Sequence, residues 1–254
     1  MNVKADKKKI EIHFARAATS YENQAVVQKR IGGKLIGMMA EHMDVFRGRA
    51  LEIGCCTGIL TSLFLARFPL TYELHVNDLV SRFAPLFESL DTKRRIRFIA
   101  GDIESVSLPA AYDCIFSSST FHWLHDIKSC LVRLHGHLRP GGLLAFTLYG
   151  PENMSEIREL TGQGLRYRSL ADIRGMLAEK YTVYEAAESV EKLYFTEVGD
   201  ILDHLRATGV NALTTKGWNR ARLLSFSRQY TDRFGTEKGI PLTYHPMYFL
   251  ARTR

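Results

Sequence analysis

The sequence predicts a doubly wound α/β fold: a mainly parallel sheet of seven strands, with helices on both faces and an α-helical cap. Three observations lead to this prediction. Short runs that are apolar throughout alternate with helix-like segments, as buried parallel strands do. A glycine-rich turn, "GCCTG", follows the first of these runs. The chain has 254 residues and is 46% hydrophobic, which suffices for one sizeable core.

The elements follow one another in a regular order. Helical spacing covers residues 5–43, with breaks expected at Gly32 and Gly33. Strands are expected at 49–55, 72–78, 95–102, 112–119, 143–150, 181–195 and 242–252. Further helices are expected at 59–68, 79–90, 127–138, 169–180, 197–208 and 219–235.

This order indicates one domain, residues 1–254. Its parts are N-terminal helices at 1–43, a core at 44–196, a helical cap at 197–235 and a last strand at 236–254. The cap interrupts the end of the sheet, and the N-terminal helices are expected to join it. In such a fold the ligand lies at the carboxyl ends of the strands, so the core carries the ligand site.

Composition limits the possible partners and compartments. The formal charge of +7 favours acidic partners, although charge alone says nothing about chemistry. No run of 18 apolar residues and no signal-like start appears, so we expect no membrane span. Reduced thiols are the simplest state for four cysteines without C-x-x-C spacing, which indicates a cytoplasmic protein. The histidines show no metal-ligand pattern, so no metal is expected.

Two acidic residues follow the turn at 54–58, each at the end of an expected strand. Asp78 ends the second expected strand, about 20 residues after Gly58, where a carboxylate meets ribose hydroxyls. Asp102 ends the third strand. Cys56 stands at the middle of the turn, where a bare backbone usually approaches the ligand. If its φ is positive, strain of about 1 kcal/mol and weaker ligand binding are expected.

Five segments, "LEIGCCTG", "VNDL", "AGDIES", "YDCIFSSSTFHWL" and "LRPGGLLAFTLYG", resemble in order and spacing the motifs of class I S-adenosylmethionine-dependent methyltransferases. The resemblance implies a Rossmann-like sheet and S-adenosylmethionine as cofactor, with S-adenosylhomocysteine as product. It also implies cofactor-binding roles for residues of the matching motifs. These are Glu52, Gly54, Cys55, Cys56 and Gly58 for the methionine part, Asp78 and the adjacent Leu79 for the ribose, Asp102 and Ile103 for the adenine, and Ser117 and Ser118 at the reactive end.

Segments outside the core carry a narrower resemblance. Residues 14–28, 148–160, 201–213 and 241–251 look like the malonyl-acyl-carrier-protein methyltransferases of bacterial biotin synthesis. That family methylates the free carboxylate of a malonyl thioester on an acidic carrier protein, and the methyl ester primes pimeloyl synthesis for biotin. The resemblance also implies that Tyr21 lies beside cofactor and substrate.

The implied reaction limits the catalytic residues that are needed. A carboxylate is already ionised near neutral pH, so no strong general base is required. The planar guanidinium group of an arginine can donate two hydrogen bonds to the acceptor carboxylate. Arg166 is the first candidate for this role, before Arg158 and Arg16. His122 is a further candidate, as a base or as part of the pocket wall with Trp123. A basic cluster in the cap, which would receive the carrier protein, comprises Arg206, Lys216, Arg220 and Arg222.

Several alternatives stay open at this point. The chain could methylate another small acid or a quinone precursor, or it could be a non-catalytic homologue, for which Cys56 is the main support. The acceptor could be bound to coenzyme A instead of a carrier protein. A nucleic-acid substrate is disfavoured, because "SSSTFHW" stands where amino-directed DNA methyltransferases show a Pro-Pro-aromatic motif. We therefore expect neither a nucleic-acid partner nor a membrane partner.

Overall fold

A computed structural model describes residues 2–3, 5–90, 95–210 and 219–254. The helices are α1 (Lys7–Ala17), α2 (Tyr21–Gln24), α3 (Val26–His42), α4 (Ile59–Arg67), α5 (Ala84–Leu90), α6 (Ile127–His137), α7 (Ser155–Thr161), α8 (Leu170–Ala178), α9 (Val198–Ala207) and α10 (Arg220–Phe234). The strands are β1 (Asn2–Val3), β2 (Arg49–Ile53), β3 (Glu73–Asp78), β4 (Ile96–Ala100), β5 (Tyr112–Ser117), β6 (Leu138–Tyr149), β7 (Gly164–Leu165), β8 (Tyr181–Glu188), β9 (Glu191–Phe195), β10 (Ile240–Tyr244) and β11 (Pro246–Thr253).

The central sheet has seven strands in the order β4-β3-β2-β5-β6-β11-β8. Its first five strands pair in parallel. The strand β11 runs antiparallel to both of its neighbours, β6 and β8. The predicted fold class, a mainly parallel seven-stranded sheet, is thereby confirmed. Since the parallel strands all end at one edge, the loops after β2 to β5 meet there.

The strand β2 shows why the core strands lack polar alternation. Ala50 packs into the hydrophobic cluster on one face of the sheet, whereas Leu51 and Ile53 pack into the cluster on the other face. All three side chains are fully buried. Because helices cover both faces, every position of the strand favours an apolar side chain.

The N-terminal helices break at other places than the sequence predicts. Gly32 and Gly33 lie inside the continuous helix α3, and the breaks fall between α1 and α2 and at Ala25. A Cβ atom on Gly32 would come within 3.2 Å of Cδ1 of Leu60 in α4. The missing side chain therefore serves close helix packing, which outweighs the low helix propensity of glycine.

The C-terminal third contains more elements than predicted. The helix α7 was not expected, the extended region at 181–195 is two strands, and the single last strand expected at 236–254 is β10 followed by β11. The strands β9 and β10 form a separate antiparallel ribbon. Local alternation identifies strands without showing which sheet they join, so this ribbon escaped the sequence analysis.

The helix α9 connects the cap with the N-terminal segment. It contacts α1, α2, α10 and β9. Nε2 of His204 in α9 lies 2.7 Å from the Tyr244 hydroxyl at the end of β10. Lys216 of the expected basic cluster falls outside the described residues. None of the described helices is both long and apolar enough to cross a membrane.

Candidate active site

A cleft of about 100 Å³ lies at the carboxyl ends of β2, β3, β4 and β5. The helix α1 forms a further wall. The lining residues are Lys7, Ile10, Phe14, Tyr21, Ile53, Gly54, Cys56, Asn77, Asp78, Leu79, Val80, Gly101, Asp102, Ile103, Ser118, Ser119, Thr120, Trp123 and Leu124.

The glycine-rich turn enters this cleft with strained backbone. Gly54 has φ +73°, and a Cβ atom there would lie 2.0 Å from Oγ1 of Thr120, so only glycine fits. Cys56 has φ 47°, the left-handed conformation that the sequence analysis named as the costly case. A non-glycine residue in this conformation costs roughly 1–2 kcal/mol. The turn therefore stores strain at the cleft wall.

Asp78 joins the turn to the end of β3. Its Oδ2 accepts a 2.8 Å hydrogen bond from the Cys56 amide, and its Oδ1 accepts one of 2.8 Å from the Val80 amide. Burial raises the pKa of this carboxyl to about 6, and the backbone hydrogen bonds oppose that rise. Near neutral pH the side chain is therefore mainly an ionised acceptor at the cleft wall.

Asp102 also lines the cleft, and a lysine from α1 contacts it. Nζ of Lys7 lies 2.6 Å from both carboxylate oxygens of Asp102 and also bonds Glu104. Glu104 accepts from the amides of His125 and Asp126 as well. The contacts of Lys7 with Asp102 and Glu104 hold the N-terminal end of α1 at the cleft. A carboxylate offers about four lone-pair sites, so Asp102 retains accepting capacity for a ligand.

Four residues expected to bind cofactor, Glu52, Cys55, Gly58 and Ser117, do not line the cleft. Glu52 is fully buried, and its Oε2 accepts a 2.5 Å hydrogen bond from Thr61 in α4. Burial raises the pKa of Glu52 to about 8. Ser117 donates to the Ile53 carbonyl at 2.8 Å, and Gly58, with φ +89°, is the residue that precedes α4. Glu52, Gly58 and Ser117 support the turn from behind, while Cys55 lines a narrow extension beneath it.

A second, inner pocket of about 20 Å³ adjoins the cleft. The two cavities share Phe14, Tyr21, Ser119 and Trp123. The inner pocket is rich in hydroxyl and amide groups. Its other lining residues are Gln28, His122, Tyr149, Asn153, Met154, Leu165, Tyr167, Thr208, Val210 and Tyr244.

Tyr21 stands where the two cavities meet. It lines the cleft, the inner pocket and the extension beneath the turn. Its ring packs 6.2 Å from that of Phe14. Burial raises the pKa of its hydroxyl well above the ordinary value, so the group is a neutral donor near pH 7.

Two buried polar atoms around the inner pocket have no hydrogen-bond partner among the described residues: Oε1 of Gln28 and Nδ1 of His122. Gln28 is 9% exposed. Burial lowers the pKa of His122 to about 3, so its imidazole is neutral near pH 7. Buried polar groups normally have partners, so these two atoms indicate a site for a polar ligand.

None of the candidate arginines lines the inner pocket. Arg166 is exposed and lines an open outer groove. The guanidinium of Arg158 donates to the carbonyls of Pro151 and Asn153 and lies over the Tyr167 ring. Arg16 is exposed on α1. The sequence-based expectation of an arginine clamp in this pocket is not met by these three residues.

Sequence reasoning missed several lining residues, and one of them left a signal. Tyr149 ends β6, and the rule that ligands lie at the carboxyl ends of strands could have identified it. Gln28 gave no such signal, because it lies in α3 whereas Tyr21 lies in α2. Lys7 gave no signal, because its contact with Asp102 spans 95 residues.

Comparisons with known proteins agree with this architecture. The family described as "Methyltransferase domain" matches residues 51–146. A putative methyltransferase from Bacillus halodurans superposes with a TM-score of 0.63 at 14% identity, covering 85% of this chain and 97% of the other. An N-methyltransferase from Bradyrhizobium japonicum, solved with S-adenosyl-L-homocysteine, gives a TM-score of 0.53 at 15% identity, covering 87% and 85%. At such identities the superpositions support the fold.

Two relatives are similar over nearly the whole chain. A malonyl-[acyl-carrier protein] O-methyltransferase from Chlorobium phaeovibrioides is 37% identical over 98% of this chain and 97% of its own length. One of the same name from Acinetobacter baylyi is 36% identical over 99% of both chains.

The fold, the glycine-rich turn and the acidic strand ends define a class I S-adenosylmethionine-dependent methyltransferase. Within that class, the chain belongs to the malonyl-[acyl-carrier protein] O-methyltransferase family.

Proposed function

We propose that this enzyme transfers a methyl group from S-adenosylmethionine to the free carboxylate of malonyl-acyl-carrier protein, giving the methyl ester for biotin synthesis. The observation that carries the proposal is the inner pocket, which adjoins the cleft at Tyr21 and is bordered by two buried polar atoms that have no hydrogen-bond partner in the part of the chain that the structure describes. Relatives of this name at 36–37% identity support the same substrate.

The cleft fits the cofactor by its donor and acceptor groups. Asp78 has the ionised carboxylate that ribose hydroxyls require, and Asp102 with Ile103 would hold the adenine. The turn at 54–56 would hold the methionine part. When bound, S-adenosylmethionine supplies a transferable methyl group on a positively charged sulfonium. We also propose the division into N-terminal helices (1–43), cofactor-binding core (44–196) and cap (197–235).

The inner pocket would orient the acceptor carboxylate without removing a proton from it. Neutral His122 cannot form an ion pair near pH 7, and an ionised carboxylate needs no base. The Tyr21 hydroxyl would donate a hydrogen bond to the carboxylate, which need not bind an arginine. Walls formed by Phe14, Trp123 and Met154 exclude water from the nucleophile.

The test is methyl-ester formation on malonyl-carrier protein and malonyl-coenzyme A, followed by mass spectrometry. We expect ester from the carrier-bound substrate and a roughly tenfold lower kcat/KM for Tyr21→Phe, through loss of one hydrogen bond. The exposed Tyr184→Phe is the matched control and should keep full activity. Cofactor binding without ester from either thioester would refute the malonyl substrate.

A further inference from the structure

An open groove lies on the outer side of the inner pocket. It provides about 1430 Å³ of space. His122 and Leu165 line both cavities, so the groove and the inner pocket lie on the two sides of these side chains. Its lining residues are Ala5, His122, Leu124, His125, Asp126, Ile127, Lys128, Leu165, Arg166, Arg168 and Met176.

One segment builds the wall between the two cavities. The strand β7 pairs in parallel with β1, and the chain then turns at Arg166, where the Tyr167 amide donates a 3.1 Å hydrogen bond to the Leu165 carbonyl. Leu165 lines both cavities, Tyr167 lines the inner pocket, and Arg166 and Arg168 line the groove. The two guanidinium groups are therefore on the groove side of the wall.

Most other charged groups along the groove already have partners. Lys128 forms a 2.6 Å ion pair with Glu179. Asp126 caps α6 and accepts from the amide and the hydroxyl of Ser129. Arg166 and Arg168 form no ion pair of 4.0 Å or less within the described ranges, but both interact electrostatically with Asp172, and Arg168 also with Asp126. The groove thus presents two guanidinium groups that can bind an anion.

We propose that this groove binds the prosthetic arm of the carrier-bound substrate, with Arg166 and Arg168 holding the phosphodiester that joins the arm to the carrier. The inference rests on the proposed function, because an acyl group carried as a thioester must enter on a flexible arm. The thioester end passes His122 and Leu165 into the inner pocket. Paired guanidinium forks match phosphate oxygens in geometry and charge.

The location differs from the basic cluster that the sequence indicates in the cap. Arg206 of that cluster pairs with Asp203. Arg220 and Arg222 are exposed on α10. None of these three residues lines the cleft, the inner pocket or the groove. The groove is favoured because it combines two guanidinium groups with a position next to the inner pocket, from which His122 and Leu165 separate it.

The kinetic test compares Arg166→Gln/Arg168→Gln with the wild type on two substrates, malonyl-carrier protein and malonyl-pantetheine without phosphate. For the double variant on the carrier substrate, we expect kcat/KM to fall roughly ten- to a hundredfold because KM rises while kcat is unchanged. The rate on the phosphate-free thioester should not change. The cap pair Arg220→Gln/Arg222→Gln is the matched control and should behave as wild type on both substrates. Equal losses on both substrates, no loss, or a loss confined to the cap pair would overturn the proposal.

A binding test separates this proposal from the catalytic one. Carrier protein with its phosphodiester-linked arm should bind the wild type more tightly than carrier protein without the arm. The groove variant should lose that difference, and equal binding of both carrier forms to the wild type would overturn the proposal. Absence of methyl ester from wild-type enzyme would instead refute the proposed function, whatever the binding result.

Discussion

The amide nitrogen of Cys56 donates a 2.8 Å hydrogen bond to Oδ2 of Asp78. This bond joins the glycine-rich turn to the end of the neighbouring strand, and it holds Cys56 in a left-handed conformation. The same carboxylate is our proposed acceptor for the ribose hydroxyls. The conformation of the turn and cofactor binding are therefore coupled through one side chain.

Replacing Cys56 by glycine tests the cost of that conformation. Cys56→Gly removes strain of about 1 kcal/mol, while the greater freedom of glycine in the unfolded chain offsets part of the gain. We expect S-adenosylmethionine to bind with equal or higher affinity, measured by titration calorimetry. Cys55→Gly is the matched control, because Cys55 is buried and its φ is not positive. The control should lose about 1–3 kcal/mol of unfolding free energy, and a large affinity loss in Cys56→Gly would contradict our account.

Cofactor affinity should depend on pH through Asp78. Its pKa is raised to about 6, so lowering the pH through 6 protonates the carboxylate that would accept the ribose hydroxyls. The dissociation constant should rise below pH 6, approaching tenfold per pH unit, and level off above it. Calorimetry between pH 5 and 7.5 measures this. Asp78→Asn should bind weakly with no pH dependence, and a flat wild-type profile would refute the role of Asp78.

Glu52 should make the fold less stable as the pH rises. Its folded-state pKa of about 8 lies above the ordinary 4.5, so the unfolded chain releases this proton first. Between pH 5 and 8, wild type should therefore lose unfolding free energy relative to Glu52→Gln by about 1.4 kcal/mol per pH unit. Urea unfolding at several pH values tests this. Parallel stability curves for the two proteins would show that Glu52 is ionised in the folded state.

Lys7 should control how firmly α1 covers the cleft. Lys7→Met removes the contacts with Asp102 and Glu104, and we expect hydrogen exchange of the α1 amides to accelerate roughly tenfold. Exchange in α3 should not change. Lys9→Met provides the control, since the Lys9 side chain is 45% exposed and its Nζ lies 4.0 Å from Oδ2 of Asp6. Equal acceleration in both variants would show that α1 is held by other contacts.

Local sequence patterns predicted the structure correctly wherever it depends on a single helix, strand or turn. Uniformly apolar runs between helices predicted the parallel sheet, and chain position put Asp78 and Asp102 at strand ends that meet at one edge. The same rules failed for Gly32, where close packing against Leu60 decides the helix. They also failed for the β9–β10 ribbon, because pairing partners are distant in sequence.

The sequence by itself determined the fold class, the position of the cleft and the acidic side chains in its wall, because strand ends and turns depend on neighbours along the chain. Only the tertiary structure decided that Glu52 lies behind the cleft, that Lys7 reaches Asp102, and that Gln28 borders the inner pocket. It also decided that Arg166 faces the outer groove, since the side-chain direction there depends on pairing of β7 with β1. Such directions are set by contacts between distant segments, which no local pattern records.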